Sequence, residues 1–290
     1  MKVGRPFMTL KKIERSQRFL KKHLTLFRCP ICHLPYQAVQ EDSLVCPQDH
    51  RLDLNRQGTL YFLRHQVHSE YNRTMLLSRR RILQAGLFNG FLQVIAQKMI
   101  TGGTTLDVGC GEGTPLHFLE KQAGTAVGFD LSKAGIKLAT QQPTTAFFCV
   151  ADLAQLPFNA QTFQSVLNIF SPSNYQEFSR ILAPEGQVIK VIPNSDYLVE
   201  LRRALFADDA RRHYSNQKVQ SRFKEKYGQV TTQRVRYQFT VPEAQFTDLV
   251  VMTPLHWQAS TEQIHQLVAQ PFSQITVDVT VLVGQYPRTF

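Results

Sequence analysis

The stretch Leu106-Asp107-Val108-Gly109-Cys110-Gly111-Glu112-Gly113 (LDVGCGEG) decides how the rest of the chain is read. Its first residues close a short apolar run of the kind that forms a buried strand, and the residues after it read as helix. Three glycines at every second position let the backbone turn tightly and come close to a bound ligand. A strand, a glycine loop and a helix open a βαβ unit, and the following segments continue the alternation. Strands are expected at 105–108, 126–130, 146–151, 165–170 and 187–193, with helices at 116–122, 134–141 and 175–182. Period-two runs at 234–241 and 275–283 supply the last strands, one of them antiparallel. The expected architecture is α/β: a Rossmann-like, doubly wound, mostly parallel sheet over residues 101–290.

The loop itself narrows the ligand. A dinucleotide-binding loop is G-x-G-x-x-G with the pyrophosphate on the helix N-terminus. Here the spacing is Gly109-x-Gly111-x-Gly113, with Glu112 inside. A carboxylate there disfavours an anion but not a cation, and S-adenosylmethionine carries a sulfonium and an ammonium. Asp130 ends the second strand, where a carboxylate can accept both ribose hydroxyls. Asp152 follows the third strand in VADLAQLPF, placed for the adenine amino group, with Leu153 packing near the ring. A lone Asp after a strand is often only a turn or cap residue; the ordered set carries the reading. The expected cofactor residues are Asp107, Gly109, Gly111, Glu112, Gly113, Asp130, Leu131, Asp152 and Leu153.

Toward the N-terminus lies FRCPICHLPYQAVQEDSLVCPQDH (27–50). Cys29-x2-Cys32 and Cys46-x3-His50 bring three thiols and an imidazole to spacings that close a tetrahedron around Zn²⁺. His33 or His23 could replace His50 in the set. Such a site is closed and structural, and no catalytic metal is expected. The remaining two of the five cysteines, Cys110 and Cys149, lie in apolar strand contexts and read as free thiols. Clustered cysteines with an odd total fit a reducing cytoplasm better than a disulfide framework. The expected organisation is a basic tail or frayed helix at 1–26, a zinc-binding module at 27–63, a helical linker at 64–100 and the sheet domain beyond.

The composition, 43% hydrophobic and 19% charged, is that of a globular chain. No apolar run approaches the roughly 18–20 residues that span a bilayer, and no secretory signal is apparent. The net charge of +11 is uneven, with nine of the Lys/Arg residues among the first 28. Further clusters are Arg79-Arg80-Arg81, Arg202-Arg203 and Arg211-Arg212. Each is either a solvated helix face or a patch that attracts phosphate backbones.

Residues 104–193 resemble class I S-adenosylmethionine-dependent methyltransferases, with RILAPEGQVIKVI (180–192) similar to their segment leading into the fifth strand. From residue 27 onward the chain resembles the 23S rRNA guanine-N1 methyltransferases. The resemblance rests on the Cys-Pro-x-Cys…Cys-x3-His module, Asp53-Leu54…Gly58, RRILQAG (80–86), DVGCGEG, FDLSKAGIKLA and Met252-Thr253-Pro254. NIFSPSNYQEFSRIL (168–182) and IKVIPNSDYL (189–198) look closer to the Gram-positive branch. Two departures stand out: Thr114-Pro115 replaces an aromatic residue common after the last glycine, and residues 1–26 have no clear counterpart.

The resemblance implies methyl transfer to N1 of guanine 748, or its neighbour guanine 745, in a domain II hairpin loop of 23S rRNA near the macrolide-binding exit tunnel. It also implies a homodimer. The loop 169–175 lacks the acidic or Asn-Pro-Pro-Tyr signature of exocyclic-amine methyltransferases, in keeping with a ring-nitrogen target. Phe170, Tyr175 and Trp257 are candidates for holding an extruded base. No residue of that loop is an obvious proton acceptor at neutral pH, so the catalytic residues stay unassigned. The competing readings are a small-molecule (quinone-type) methyltransferase and a non-catalytic RNA-binding assembly protein.

Overall fold

The structure is a computed structural model that describes residues 10–64, 71–206 and 215–288. Lys12–His23 forms α1, with Glu14 in its first turn and Lys21, Lys22 and His23 in its last, the order that suits the helix dipole. The sequence reading expected a frayed basic helix or tail here. Instead α1 is docked: Leu20 is fully buried, and Phe19 stacks on Phe147 with ring centroids 5.0 Å apart. The strands β1 (Ala38–Gln40), β2 (Ser43–Val45) and β3 (Arg51–Asp53) make a small antiparallel sheet in the cysteine segment. Residues 60–61, expected inside the zinc module, are β4 (Leu60–Tyr61) and pair parallel with an edge of the main sheet.

Two helices, α2 (Arg73–Gln84) and α3 (Asn89–Lys98), lead into the alternating part, as the apolar periodicity around Gly86 predicts. There follow β5 (Thr104–Val108), α4 (Thr114–Leu119), β6 (Thr125–Asp130), α5 (Lys133–Ala139), β7 (Phe147–Val150), β8 (Phe163–Ile169), α6 (Tyr175–Ile181) and β9 (Leu182–Pro193). The chain ends with α7 (Val199–Leu205), α8 (Gln217–Lys226), β10 (Tyr227–Thr240), α9 (Phe246–Val251), α10 (Thr261–Ala269) and β11 (Gln274–Pro287). The main sheet has the order β10-β11-β9-β8-β5-β6-β7-β4. Only β11 runs against its neighbours, β9 and β10. Residues 275–283 of β11 are buried on both faces, so the strand reads Val after Val; each such side chain contributes about 1.5–3 kcal/mol. Its one acidic residue, Asp278, is wholly buried and takes the Arg234 guanidinium at 2.6 Å.

One face of the sheet is covered by α2–α5, α7, α9 and α10. The other carries α6 and α8, with α1 and the cysteine segment packed beside them in one continuous core. The crossover from β7 to β8, residues 151–162, contains no helix. Phe27 fills that place: it bridges to Phe158 and packs edge-on to Phe147 at 5.5 Å. The cysteine segment thus has no separate core and stands in for a missing crossover helix.

Candidate functional site

Strand order reverses between β5 and β8, and in open α/β sheets ligands bind outside the carboxyl ends of the strands at such a switch point. A cavity of about 830 Å³ opens there. One end is lined by Gly109, Gly111, Asp130, Leu131, Asp152 and Leu153; the other by Phe170, Ser171, Tyr197, Arg202 and the 252–255 turn. Gly109 has φ +70°, and a Cβ on it would lie 2.9 Å from Ser171 Cβ, so glycine lets the loops after β5 and β8 close on each other. Gly113 has φ +87°, and its Cβ would meet Ala139 Cβ at 3.0 Å. That glycine serves the packing of α4 against α5 and does not line the cavity.

Asp130 accepts from the Gly111 N–H at 2.9 Å and the Ser132 N–H at 2.7 Å, which fixes its carboxylate at the cavity wall. Burial raises its pKa, against the pull of those N–H groups and Arg79. Asp107 lies beneath the loop, 2% exposed, with Oδ2 lacking a hydrogen-bond partner. Burial pushes this carboxyl up to about 7, with Asp130 and Glu112 adding and Arg79 opposing. Asp152 turns one oxygen to the Ala154 N–H at 2.8 Å and stays at the wall. An orphaned carboxylate oxygen and two wall carboxylates beside an open backbone at Gly111 fit a cation with a ribose and an adenine.

Glu112 overturns the sequence expectation. Its carboxylate is turned away from the cavity, wholly buried, and bound by Arg80 Nε at 3.1 Å and Thr114 Oγ1 at 2.7 Å, with Gln142 beside it. The discrimination against anions drawn from Glu112 therefore falls to Asp107, Asp130 and Asp152. The Arg79-Arg80-Arg81 cluster is not a phosphate-binding patch either. Successive residues on a helix point about 100° apart, and these three go to three destinations. Arg79 lines the cavity and covers the Phe88 ring at 5.3 Å; Arg80 reaches Glu112; Arg81 grips Asp248 at 2.7 and 2.5 Å. The Arg211-Arg212 pair and Tyr214 lie outside the described residues.

At the far end, Phe170 lines the cavity with φ +54°, a conformation that costs a non-glycine residue about 1–3 kcal/mol and gathers at functional sites. Phe88, Phe91 and Tyr197 hold its ring at centroid distances of 5.5, 5.7 and 5.2 Å. Tyr175 does not belong to this end. Its ring packs against Phe178, Phe223 and Tyr227 in the core on the opposite face, because the first turn of α6 directs it there. Trp257 is 40% exposed and does not line the cavity; it stands edge-on to Tyr71, which does. Sequence reasoning missed Arg79, Tyr197 and Arg202 as cavity residues, since an arginine within a basic run carries no mark of its direction. Arg202 is 6% exposed, donates to the Ser195 carbonyl, and has its pKa lowered by burial. Behind the loop, Lys190 donates to Asn168 and to Ser173 Oγ at 2.9 Å, and burial lowers its pKa to about 8.

The ligand atoms of Cys29, Cys32, Cys46 and His50 lie within 4.8 Å of one another, the one such cluster among the described residues. Cys32 and Cys46 sulfurs are 3.5 Å apart, and His50 Nδ1 is 3.6 Å from Cys29 Sγ and 3.4 Å from Cys46 Sγ. Tetrahedral Zn²⁺ with bonds of about 2.0–2.3 Å sets edges of roughly 3.5–3.8 Å. Burial alone would raise the Cys46 thiol, but the Gln48 N–H, Cys32 and His50 bring it down to about 7. His33 faces Gln155 and His23 packs on Phe19, so neither joins the cluster. Cys110 and Cys149 are free and buried, which raises both pKa values.

Fold and cavity define a class I S-adenosylmethionine-dependent methyltransferase. The profile of the family described as "Methyltransferase domain" matches residues 105–186. A Bacillus subtilis (strain 168) protein named "Putative 23S rRNA (guanine-N(1)-)-methyltransferase YxjB" is 38% identical over 273 residues, 90% of this chain and 97% of that protein. A protein of Micromonospora griseorubida with the same name, without YxjB, is 29% identical over 89% of this chain and 96% of its own length. The "23S rRNA (guanine(748)-N(1))-methyltransferase" of Streptomyces fradiae is 26% identical over 91% and 98% respectively. The chain belongs to the 23S rRNA (guanine-N1-)-methyltransferase family.

Proposed function

We propose that this enzyme transfers the methyl group of S-adenosylmethionine to N1 of guanine 748, or its neighbour guanine 745, in the domain II hairpin loop of 23S rRNA, beside the macrolide-binding exit tunnel. One observation carries the reading: a single cavity joins a carboxylate-lined end to an aromatic end large enough for an extruded base. Asp130 binds the ribose, Asp152 the adenine amino group with Leu131 and Leu153 beside the ring, and Asp107 and Arg79 flank the amino-acid portion. When bound, S-adenosylmethionine supplies the electrophilic methyl group.

At the other end Phe170 and Tyr197 face the guanine. The cavity wall there has no carboxylate or histidine among the described residues, and its cation is Arg202. As the N1 proton leaves, negative charge spreads to O6, and the Arg202 guanidinium holds it. Cys29, Cys32, Cys46 and His50 hold a structural Zn²⁺. The exposed Arg18, Lys21 and Lys22 of α1 and Arg222 and Lys224 of α8 supply RNA affinity. A homodimer in the cytoplasm belongs to the same reading, and no described helix is long and apolar enough to cross a membrane. The test is nucleoside analysis of unmodified 23S rRNA incubated with the protein and labelled S-adenosylmethionine. 1-Methylguanosine is expected; label in another nucleoside, or none in RNA, overturns the proposal.

A further inference from the structure

The segment that walls the adenine end has little secondary structure to hold it. Asp152 and Leu153 line the cavity, and residues 151–162 form the helix-free crossover between β7 and β8. What holds it comes from elsewhere in the chain. Leu156 N–H donates to Glu177 Oε2 at 2.7 Å, and the Leu156 carbonyl accepts from Arg28 Nε at 3.2 Å and Arg180 Nη2 at 3.1 Å. The Arg28 N–H donates to the Pro157 carbonyl at 3.0 Å, and Arg180 Nη1 to the Phe158 carbonyl at 2.6 Å. Asn159 Nδ2 donates to the Thr25 and Phe27 carbonyls at 2.8 and 3.0 Å. At the exposed end Gln155 Nε2 meets His33 Nε2 at 3.2 Å, and on the α6 side Asn174 Nδ2 donates to the Leu153 carbonyl at 3.1 Å.

Glu177 is the hub. It receives Arg180 at 2.7 Å and lies 3.8 Å from Arg28, both from one carboxylate that also takes the Leu156 N–H. Burial would raise its pKa, yet Arg180, the Leu156 N–H and Arg28 hold it below the usual carboxylate range. Arg28 immediately precedes Cys29, and His33 immediately follows Cys32. The first metal-binding turn is therefore clamped at both its ends to the crossover that ends in Asp152 and Leu153.

We infer that the first cysteine turn is the outer brace of the adenine wall, with Glu177 as the positioning residue that joins them, so that occupancy of the Cys29–Cys32–Cys46–His50 site sets cofactor affinity. This rests on the zinc and cofactor sites proposed above but requires no RNA. An ordered turn fixes Arg28 and His33; these fix the backbone of 155–158; and that backbone fixes the direction of the Asp152 carboxylate. Without the metal, the turn loses the crosslink that orders it, and the adenine end loosens while the glycine loop and Asp130, held by β5 and β6, keep their geometry.

The experiment is calorimetric, on the full chain loaded with one Zn²⁺, using S-adenosylhomocysteine and S-inosylhomocysteine, which lacks the adenine amino group. Glu177→Gln keeps the zinc and the size of the side chain but removes the charge that gathers Arg28, Arg180 and Leu156. It is expected to weaken S-adenosylhomocysteine about tenfold and S-inosylhomocysteine much less, shrinking the preference for the amino group. Chelation of the wild type gives the same pattern, and chelation of Glu177→Gln adds little, because both changes release one brace. Equal weakening of both ligands overturns the proposal, as does wild-type affinity in zinc-loaded Glu177→Gln. Should that variant not fold, Gln155→Ala at the surface decides by the same ratio: a reduced preference supports the brace, an unchanged one overturns it. Because RNA is absent, failure here is distinct from failure of the rRNA reading.

Discussion

Arg80 Nε stands 3.1 Å from Glu112 Oε2, and the pair closes the back of the glycine loop rather than its ligand side. Glu112 is wholly buried, and Arg80 also donates to the Glu112 and Leu138 carbonyls. Removing one partner of such a pair leaves an uncompensated buried charge, at a cost of about 3–5 kcal/mol. Arg80→Ala should therefore lower stability by that amount in urea unfolding, with RNA affinity at matched folded protein unchanged. A variant of wild-type stability with weakened RNA binding would restore Arg80 to a surface patch.

Asp130 sits where the fold holds it by two backbone N–H groups, so its substitution should act on the ligand rather than on the sheet. Asp130→Ala is expected to weaken S-adenosylhomocysteine at least about thirtyfold, the loss of charged hydrogen bonds to the ribose. Zinc content, measured by atomic absorption, should stay at the wild-type level. Unchanged affinity for the cofactor product in calorimetry would remove Asp130 from the binding site.

How much was legible depends on the range of the interaction. The glycine loop, Asp130 and Asp152 at strand ends, and the cysteine set are local patterns, and local geometry placed them together. The docking of α1, the joining of β4 to the main sheet and the inward turn of Glu112 are decided by contacts between segments far apart in sequence. A one-residue step along a helix separates Arg79 in the cavity from Arg80 in the core, and composition cannot see that rotation.

Asp107 gives the enzyme a pH-dependent stability. Its carboxyl titrates at about 7 in the folded chain, raised by burial, against about 3.9 in an unfolded one. The folded state thus keeps a proton that the unfolded state releases. The stabilisation is fully present below about pH 4 and is lost as pH rises through about 7. Asp107→Asn is neutral throughout and has no such loss. Its stability relative to wild type should climb from about pH 5 to pH 7 and level off above about pH 8. Urea midpoints of both proteins across that range check this, and a flat difference contradicts it.

Phe170 and Tyr175, equivalent as sequence candidates, part ways in the structure. Phe170→Ala should lower kcat for RNA methylation about tenfold or more while cofactor affinity holds, as a stacking face is removed. Tyr175→Ala should instead destabilise the fold by about 3–5 kcal/mol through the hole left among Phe178, Phe223 and Tyr227. Single-turnover rates and thermal unfolding on the same preparations separate the two.

The most direct test of the central claim is reverse transcription across the domain II hairpin loop of 23S rRNA after treatment with the enzyme and S-adenosylmethionine. A methyl group on guanine N1 blocks Watson–Crick pairing, so one new stop is predicted at guanine 748 or guanine 745, absent with Asp130→Ala. No stop in that loop, from protein shown to bind S-adenosylhomocysteine, would contradict the account.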